Sequence, residues 1–378
     1  MNLLRTLACL GLAGILGAQT KPFPAQGRPL SVVAFGSCAE QHKPQPVWTA
    51  IQAQRPQLFL ALGDNIYCDT EDMGEMAKEY ARLARIPEFR RFRAAVPIYA
   101  TWDDHDFGAN DGGGDYPKKE DSQRLFLQFW KEPAASPRWG RPGLYDAKVF
   151  GPAGRRVQVI LLDTRTFRSP LKPRPGGEDE VQGRWTPDPD PKAQMLGEAQ
   201  WRWLEAQLRV PAELRLLVSS VQVVNNGHGW EKWGNLPAER QRLFDLLKRR
   251  GAEGVVILSG DRHFGELCVL DAGLGYPLYD FTSSGLNQGS GRFRYRAADP
   301  ARVAMQAAGD NFGVVRVDWN RADPLVRLEC RDEGGELRFL EKIPLSLLKA
   351  KAPAAPQAAP GPAPKEDRPG AAGPASPR

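Results

Sequence analysis

Short, nearly continuous apolar runs alternate with amphipathic stretches along most of the chain. LSVVAFG (30–36), QLFLALG (57–63), AVPIYAT (95–101), RVQVILLD (156–163), LRLLVSSVQ (214–222) and GVVILSG (254–260) read as strands. Between them, PVWTAIQAQ (46–54), MGEMAKEYARLAR (73–85), EDSQRLFLQFW (120–130), AQMLGEAQWRWLEAQL (193–208) and PAERQRLFDLLKRR (237–250) carry apolar residues at helical spacing. Strands apolar on both faces and separated by helices belong to largely parallel sheets covered on each side. After residue 265 the pattern turns mostly to strand: ELCVLD, YPLYDFTSS, NFGVVRVDW, LVRLEC and ELRFLEKI. The pattern therefore predicts an α/β fold of two packed sheets flanked by helices. Ser169 to Lys192, rich in proline, reads as a long surface loop and not as a domain boundary.

The two ends fall outside this pattern. MNLLRTLACLGLAGILGAQT has one arginine, an apolar run and small residues around Ala18, so residues 1–18 are expected to be a signal peptide. Cys9 lies inside the apolar run, which argues against a lipoprotein anchor. From Lys349 onward proline, alanine and glycine dominate, and residues 349–378 are expected to form a disordered tail. The folded domain is then 27–348, a length suited to one α/β enzyme domain. Leader and tail account for four of the formal net charge of +6, so the basic balance carries little information about the domain. No basic cluster interleaved with aromatics suggests a nucleic-acid surface, and no later apolar run is long enough to span a bilayer. A monomeric periplasmic or secreted protein is expected.

Four strands end in a small residue followed at once by groups able to bind metal. They are FGSC (Cys38), LGDNIY (Asp64, Tyr67), TWDDHD (Asp103, Asp104, His105, Asp106) and LSGDRH (Asp261, His263). An aspartate after a strand is commonly a turn former or helix cap. In open α/β sheets, however, ligands bind at the carboxyl ends of the strands. Gathering acids, imidazoles, a thiol and a phenol on one edge raises the cost of ionisation unless cations offset it. Mixed Cys, Tyr, Asp and His ligation suits one softer transition ion beside one harder divalent ion. Paired ions of that kind stabilise in-line displacement at phosphorus, so the residues point to a dinuclear phosphoesterase.

GDNIY (63–67), DDHD (103–106) and GDRH (260–263) resemble the GDxxY, GNH(D/E) and GHxH blocks of calcineurin-like metallophosphoesterases. With FGSC (35–38), WDDHDFGAND (102–111), LDTR (162–165) and SGDRHFGEL (259–267), the set resembles the alkaline phosphatase D, or PhoD-like, family. The resemblance implies a metallophosphatase-like α/β/β/α sandwich of two mixed sheets and hydrolysis of a phosphate ester by a metal-bound hydroxide. It implies Fe3+ and Ca2+ as ions, with other divalent ions as alternatives. Carried over by motif, Cys38 and Tyr67 would bind the iron, Asp64 would bridge, Asp104 would bind the second ion, and Asp261 and His263 would complete the shell. His105 would serve the leaving group, with Asp106 either orienting its ring or capping a helix. Arg165 and Arg262 are candidates to clamp phosphate oxygens, Arg165 equally a structural ion-pair partner. Asn110 and Asp111 would contact substrate or calcium, or form a plain turn. Gln222 or His228 would stand in for the histidine of the superfamily's VxxH block.

That family often carries a twin-arginine leader and a separate N-terminal β domain; with MNLLRT at the start and FGSC reached by residue 38, neither is expected here, which bears on export route and substrate size. Of the cysteines beyond the leader, Cys268 and Cys330 are candidates for a disulfide, as are Cys38 and Cys68, although the latter bond would remove the thiolate ligand. A calcium-stabilised secreted binding module is the alternative from another class, but it has no need of Cys38, Tyr67 and two histidines at strand ends. Whether the substrate is a monoester, diester or phospholipid is not encoded in these motifs.

Overall fold

A computed structural model describes residues 21–179, 182–290, 298–306 and 308–350. The expected signal peptide and nearly all of the expected tail lie outside these residues. One sheet has six strands in the order β13-β12-β11-β1-β2-β3, and the other has seven in the order β10-β8-β9-β7-β6-β5-β4. In the first, β1 (Val32–Gly36), β2 (Leu58–Leu62) and β3 (Ile98–Thr101) run parallel. Antiparallel β11 (Asn311–Asp318), β12 (Leu325–Asp332) and β13 (Leu337–Pro344) extend it. In the second, β5 (Val157–Leu161), β6 (Leu214–Val218), β7 (Val255–Ser259) and β9 (Leu278–Ser283) are parallel. Antiparallel β4 (Asp146–Phe150), β8 (Gly265–Leu270) and β10 (Arg302–Gln306) join its edges. Both sheets are mixed and helix-flanked, as the pattern and the resemblance imply.

The parallel pairs follow from helical crossovers, because a parallel partner needs a connection long enough to return over the sheet. These are α1 (Val47–Ala53), α2 (Met73–Arg85) and α3 (Pro87–Ala95) in the first sheet, and α6 (Gly197–Gln207) and α7 (Pro237–Arg249) in the second. Asp72 caps α2 by accepting from Gly74 N and Glu75 N. Pro87 ends it by forcing Ile86 out of the helical region and then starts α3. Alternation along β1 and β2 assigns the layers. Val33, Phe35, Leu58, Leu60 and Leu62 face the second sheet, whereas Ala34, Phe59 and Ala61 pack under Trp48, Phe89 and Phe92 of α1 and α3.

Elements beyond the predicted set are α3, β4, β10 and the one-turn helix α4 (Asp104–Phe107), which precedes α5 (Lys119–Phe129). The two edge strands are only partly buried and so lack a continuous apolar signature. The described part of Ser169–Lys192 remains irregular, pairing only at the isolated bridges Pro173 with Trp185 and Asp179 with Gly183. Neither candidate disulfide forms: Cys38, Cys68, Cys268 and Cys330 are all free and buried. Cys268 lies in β8 and Cys330 in β12, in different sheets, and the Cys330 thiol turns to Gln306 Oε1 at 3.3 Å.

At the carboxyl ends of the parallel strands the two sheets are stitched together. Gly285 N and Leu286 N, just beyond β9, both donate to Ser37 O at 3.0 Å beyond β1. Thr101 Oγ1 at the end of β3 donates to Leu162 O, after β5, at 3.2 Å. This edge holds the chemistry.

Candidate metal centre

Three of the four ligand-bearing turns, those of Cys38, Asp64 and the Asp261–His263 pair, place a ligand in the left-handed backbone region, which L-residues avoid. Seven described non-glycine residues have positive φ, and five belong to this edge: Cys38 (63°), Asp64 (49°), Asp111 (52°), Asp261 (68°) and His263 (60°). Such backbone costs energy and persists only where its surroundings over-determine it. Asp106 supplies much of that constraint. Its buried carboxylate accepts from Asp64 N (3.1 Å), Asn65 N (3.3 Å), Asn65 Nδ2 (2.5 Å) and Asp103 N (2.7 Å), tying the turn after β2 to the turn after β3. Gly63 is required between them, since at φ 111° a Cβ would lie 2.4 Å from the Asp103 Cβ.

These turns converge. The Cys38 Sγ lies 3.3 Å from Asp64 Oδ2, and Tyr67 OH lies 3.4 Å from that same oxygen and 3.2 Å from His263 Nε2. Asp64 is shared with a second cluster that includes Asp104 and His105, and Asp104 with a third that includes Asp103 and Asp261 and a fourth that includes Asp111 and Glu231. Within each cluster the ligand atoms lie within 4.8 Å of one another. The first set mixes thiol, phenol, imidazole and carboxylate, and the others are mainly carboxylate, which is the soft and hard division expected for two different ions.

Burial sets the charge states. It pushes the Cys38 thiol up to about 11, and it holds Asp64 well above the usual carboxylate range, with Cys38 and Asp104 adding repulsion. Asp261 is raised to about 8 by burial and by Glu231 and Asp104, against the pull of Arg262. Burial, with Arg262 and His105 nearby, lowers His263 to about 4 and so keeps its ring neutral. Asp104 alone is held below the usual range: the charges of Arg165 and His105 outweigh its burial. A bound cation reverses this balance by favouring the ionised ligand. Two buried oxygens, Asp103 Oδ2 and Asp261 Oδ2, lack hydrogen-bond partners among the described residues. Orphaned buried oxygens beside protonated acids and a neutral imidazole fit a cation-binding centre.

His105 is held differently from the sequence expectation. Its Nδ1 lies 3.0 Å from each carboxylate oxygen of Asp69, while its ring packs against Tyr67 with centroids 4.2 Å apart. Burial opposes its charge, but Asp104 and Asp69 prevail and push it up to about 9. Asp106 takes the other reading offered by the sequence, that of a cap: it completes a capping box at the start of α4.

Arg165 is fully buried, with Nε 2.6 Å from Asp103 Oδ1 and Nη1 2.7 Å from Glu231 Oε1. That corresponds to its ion-pair reading. Arg168 binds the same Glu231 at 2.7 Å. Asp111 meets Arg184 Nη1 at 3.1 Å and Trp185 Nε1 at 3.0 Å, so the irregular 169–192 segment packs against the centre. Arg262 lies beside Asp261, 3.7 Å away, and against Trp230, whereas Asn110 is exposed on its turn. Gln222 and His228 are partners of each other at 3.0 Å, and Gln222 continues to Glu266 (2.5 Å) and Thr282 (2.8 Å). They form a buried network outside the four ligand clusters. Burial and Arg262 keep His228 neutral.

Residues 149–318 match the PhoD-like phosphatase family model. The chain is similar to the PhoD-like phosphatases. Alkaline phosphatase D of Bacillus subtilis is 23% identical over 288 residues, covering 65% of this chain and 48% of that protein. The chain thus spans about half the length of its curated PhoD relative. A solved structure of PhoD superposes with a TM-score of 0.65 at 17% identity, covering 89% of this chain and 74% of the other. A dimetal phosphatase from Danio rerio superposes at 0.52 and 13% identity, covering 86% and 100%. The matched segment holds LDTR and GDRH, whereas the Cys38, Asp64 and Asp104 turns lie before it in the chain. Sequence reasoning missed Asp69 and Glu231. Asp69 stands five residues after Asp64 and offered that proximity as a signal, whereas Glu231 sits in an irregular stretch with no motif.

Proposed function

We propose that this chain is an exported metal-dependent phosphoesterase that hydrolyses phosphate monoesters or diesters. The observation that carries the proposal is the convergence of Cys38, Asp64, Tyr67, Asp104, Asp261 and His263 beside an imidazole held by its own carboxylate. Cys38, Tyr67 and His263 with Asp64 would hold the softer ion, for which Fe3+ is the natural occupant. Asp64, Asp104 and Asp261 would hold the harder one, for which Ca2+ is suited. Such ions supply Lewis-acid stabilisation of charge on phosphoryl oxygens and a nucleophile at neutral pH.

The protein's own groups do the rest. His105, protonated and fixed through Nδ1 by Asp69, presents Nε2 to the departing alkoxide and transfers a proton to it. Asp106 keeps the turns after β2 and β3 in register. Arg165 holds Asp103 and Glu231 against mutual repulsion, while Arg262 and Asn110 are the candidates for contact with the phosphoryl group and its substituent. His105→Ala lowers turnover of an aryl phosphate ester by about two to four orders of magnitude at unchanged metal content. Metal analysis of the purified protein alongside a panel of mono- and diesters tests the reading. A protein that carries no ions after expression in iron- and calcium-replete medium and cleaves none of the esters refutes it.

A further inference from the structure

We propose that an open cleft at the amino end of β1, on the sheet edge opposite the metal centre, binds a small doubly charged oxyanion of the phosphate or sulfate class. The cleft has a volume of about 380 Å³, and Arg155, Arg316 and Arg327 line it together with Asp318 and Trp319. It borders Pro29, Ser31 and Val32, where β1 begins, whereas Cys38 follows the other end of that strand.

The strand register crowds positive charge there. Arg316 of β11 stands directly opposite Arg327 of β12, which in turn stands opposite Lys342 of β13. Like charges directly across a ladder repel. Arg316 has an internal answer, with Nε 3.1 Å from both oxygens of Glu329 and Nη2 2.7 Å from Gln54 Oε1. Glu329 is shared, since Arg331 also reaches it at 2.7 Å. Arg327 has no such answer: its Nε is buried and meets no hydrogen-bond partner among the described residues. Arg155 is exposed at the rim, and Asp318 is the one acid lining the cleft.

A buried guanidinium N–H without an acceptor is costly, and a cross-strand pair of cations adds repulsion. A tetrahedral oxyanion answers both, because its oxygens accept several guanidinium N–H bonds in fork geometry and its two charges offset the excess.

The test is calorimetric titration of the metal-stripped full-length protein with inorganic sulfate, and in parallel with inorganic phosphate, so that hydrolysis plays no part in the readout. Wild type is expected to bind one anion saturably. Arg327→Gln is expected to raise the dissociation constant about tenfold or more. Arg155→Gln, at an exposed position that does not endanger folding, is expected to raise it severalfold, and Arg321→Gln, outside the lining, to leave it unchanged. Absence of saturable binding by wild type, or equal affinity in wild type and Arg155→Gln, overturns the proposal. Neither result bears on the phosphoesterase reading, which concerns the opposite edge.

Discussion

His105 and Asp69 form a two-pronged contact, with the ring Nδ1 3.0 Å from each carboxylate oxygen. The pair joins the loop after β2 to the first turn of α4, fixes the tautomer and leaves Nε2 for chemistry. Asp69→Asn is expected to lower kcat about 10- to 100-fold. KM and metal content stay at wild-type values, because Asp69 belongs to none of the ligand clusters. Steady-state kinetics with metal analysis checks this, and a loss of metal equal to the loss of rate would assign Asp69 a different role.

Asp64 is common to two ligand clusters. Asp64→Asn should therefore deplete both ions and reduce hydrolysis by more than the about 10–100-fold typical of losing an outer-shell partner. Elemental analysis of the purified variant decides the point, and retention of both ions at full activity would contradict the assignment.

Gly63 has φ 111° and no room for a side chain beside Asp103. Gly63→Ala is expected to destabilise the fold by about 2–4 kcal/mol. Gly27→Ala, where a Cβ meets nothing within 4 Å, is expected to be neutral. Denaturant unfolding of the two variants side by side measures the difference.

Removing metal should weaken the fold, since cations bound only by the native state stabilise it by mass action. A chelator is expected to lower the thermal midpoint by about 3 °C, equivalent to about 2 kcal/mol in a domain of this size. Adding back iron and calcium should restore it. Differential scanning fluorimetry is sufficient to see the shift, and an unchanged midpoint would argue that the buried acids need no cation.

Away from the centre, Asp146 accepts from Tyr99 OH at 2.7 Å and pairs with Lys148 at 3.0 Å. Burial alone would raise its pKa, but the charges of Lys148 and Arg138 and the Tyr99 hydroxyl hold it, on balance, below the ordinary carboxylate value. A carboxyl depressed in the native state contributes stability above its unfolded pKa and loses it as pH falls through the folded one. Asp146→Asn is expected to cost about 1 kcal/mol at pH 7, with the gap to wild type closing progressively below about pH 5. Unfolding curves across that range test the sign, and a gap that widens in acid would reverse it.

Much of the scaffold was legible because its signals are local. The Leu58–Leu62 run and the Met73–Arg85 helix announce themselves through the periodicity of their apolar residues. The edge strands β4 and β10 did not, since half-buried edges leave only weak alternation. Among the cysteines, export chemistry suggested pairs. Strand assignment to different sheets left Cys268 and Cys330 apart, and that assignment depends on contacts between distant segments.

By itself, the sequence determined which residue types stand at the ends of the parallel strands, and therefore which chemistry this edge of the sheets is able to hold. Tertiary structure alone decided the division of labour among similar side chains. It made Asp106 a backbone clamp, gave His105 to Asp69, and set Arg165 between Asp103 and Glu231. The reason is physical: identity and spacing are local properties of a chain, but a carboxylate's role depends on which donor from a remote segment comes within about 3 Å of it.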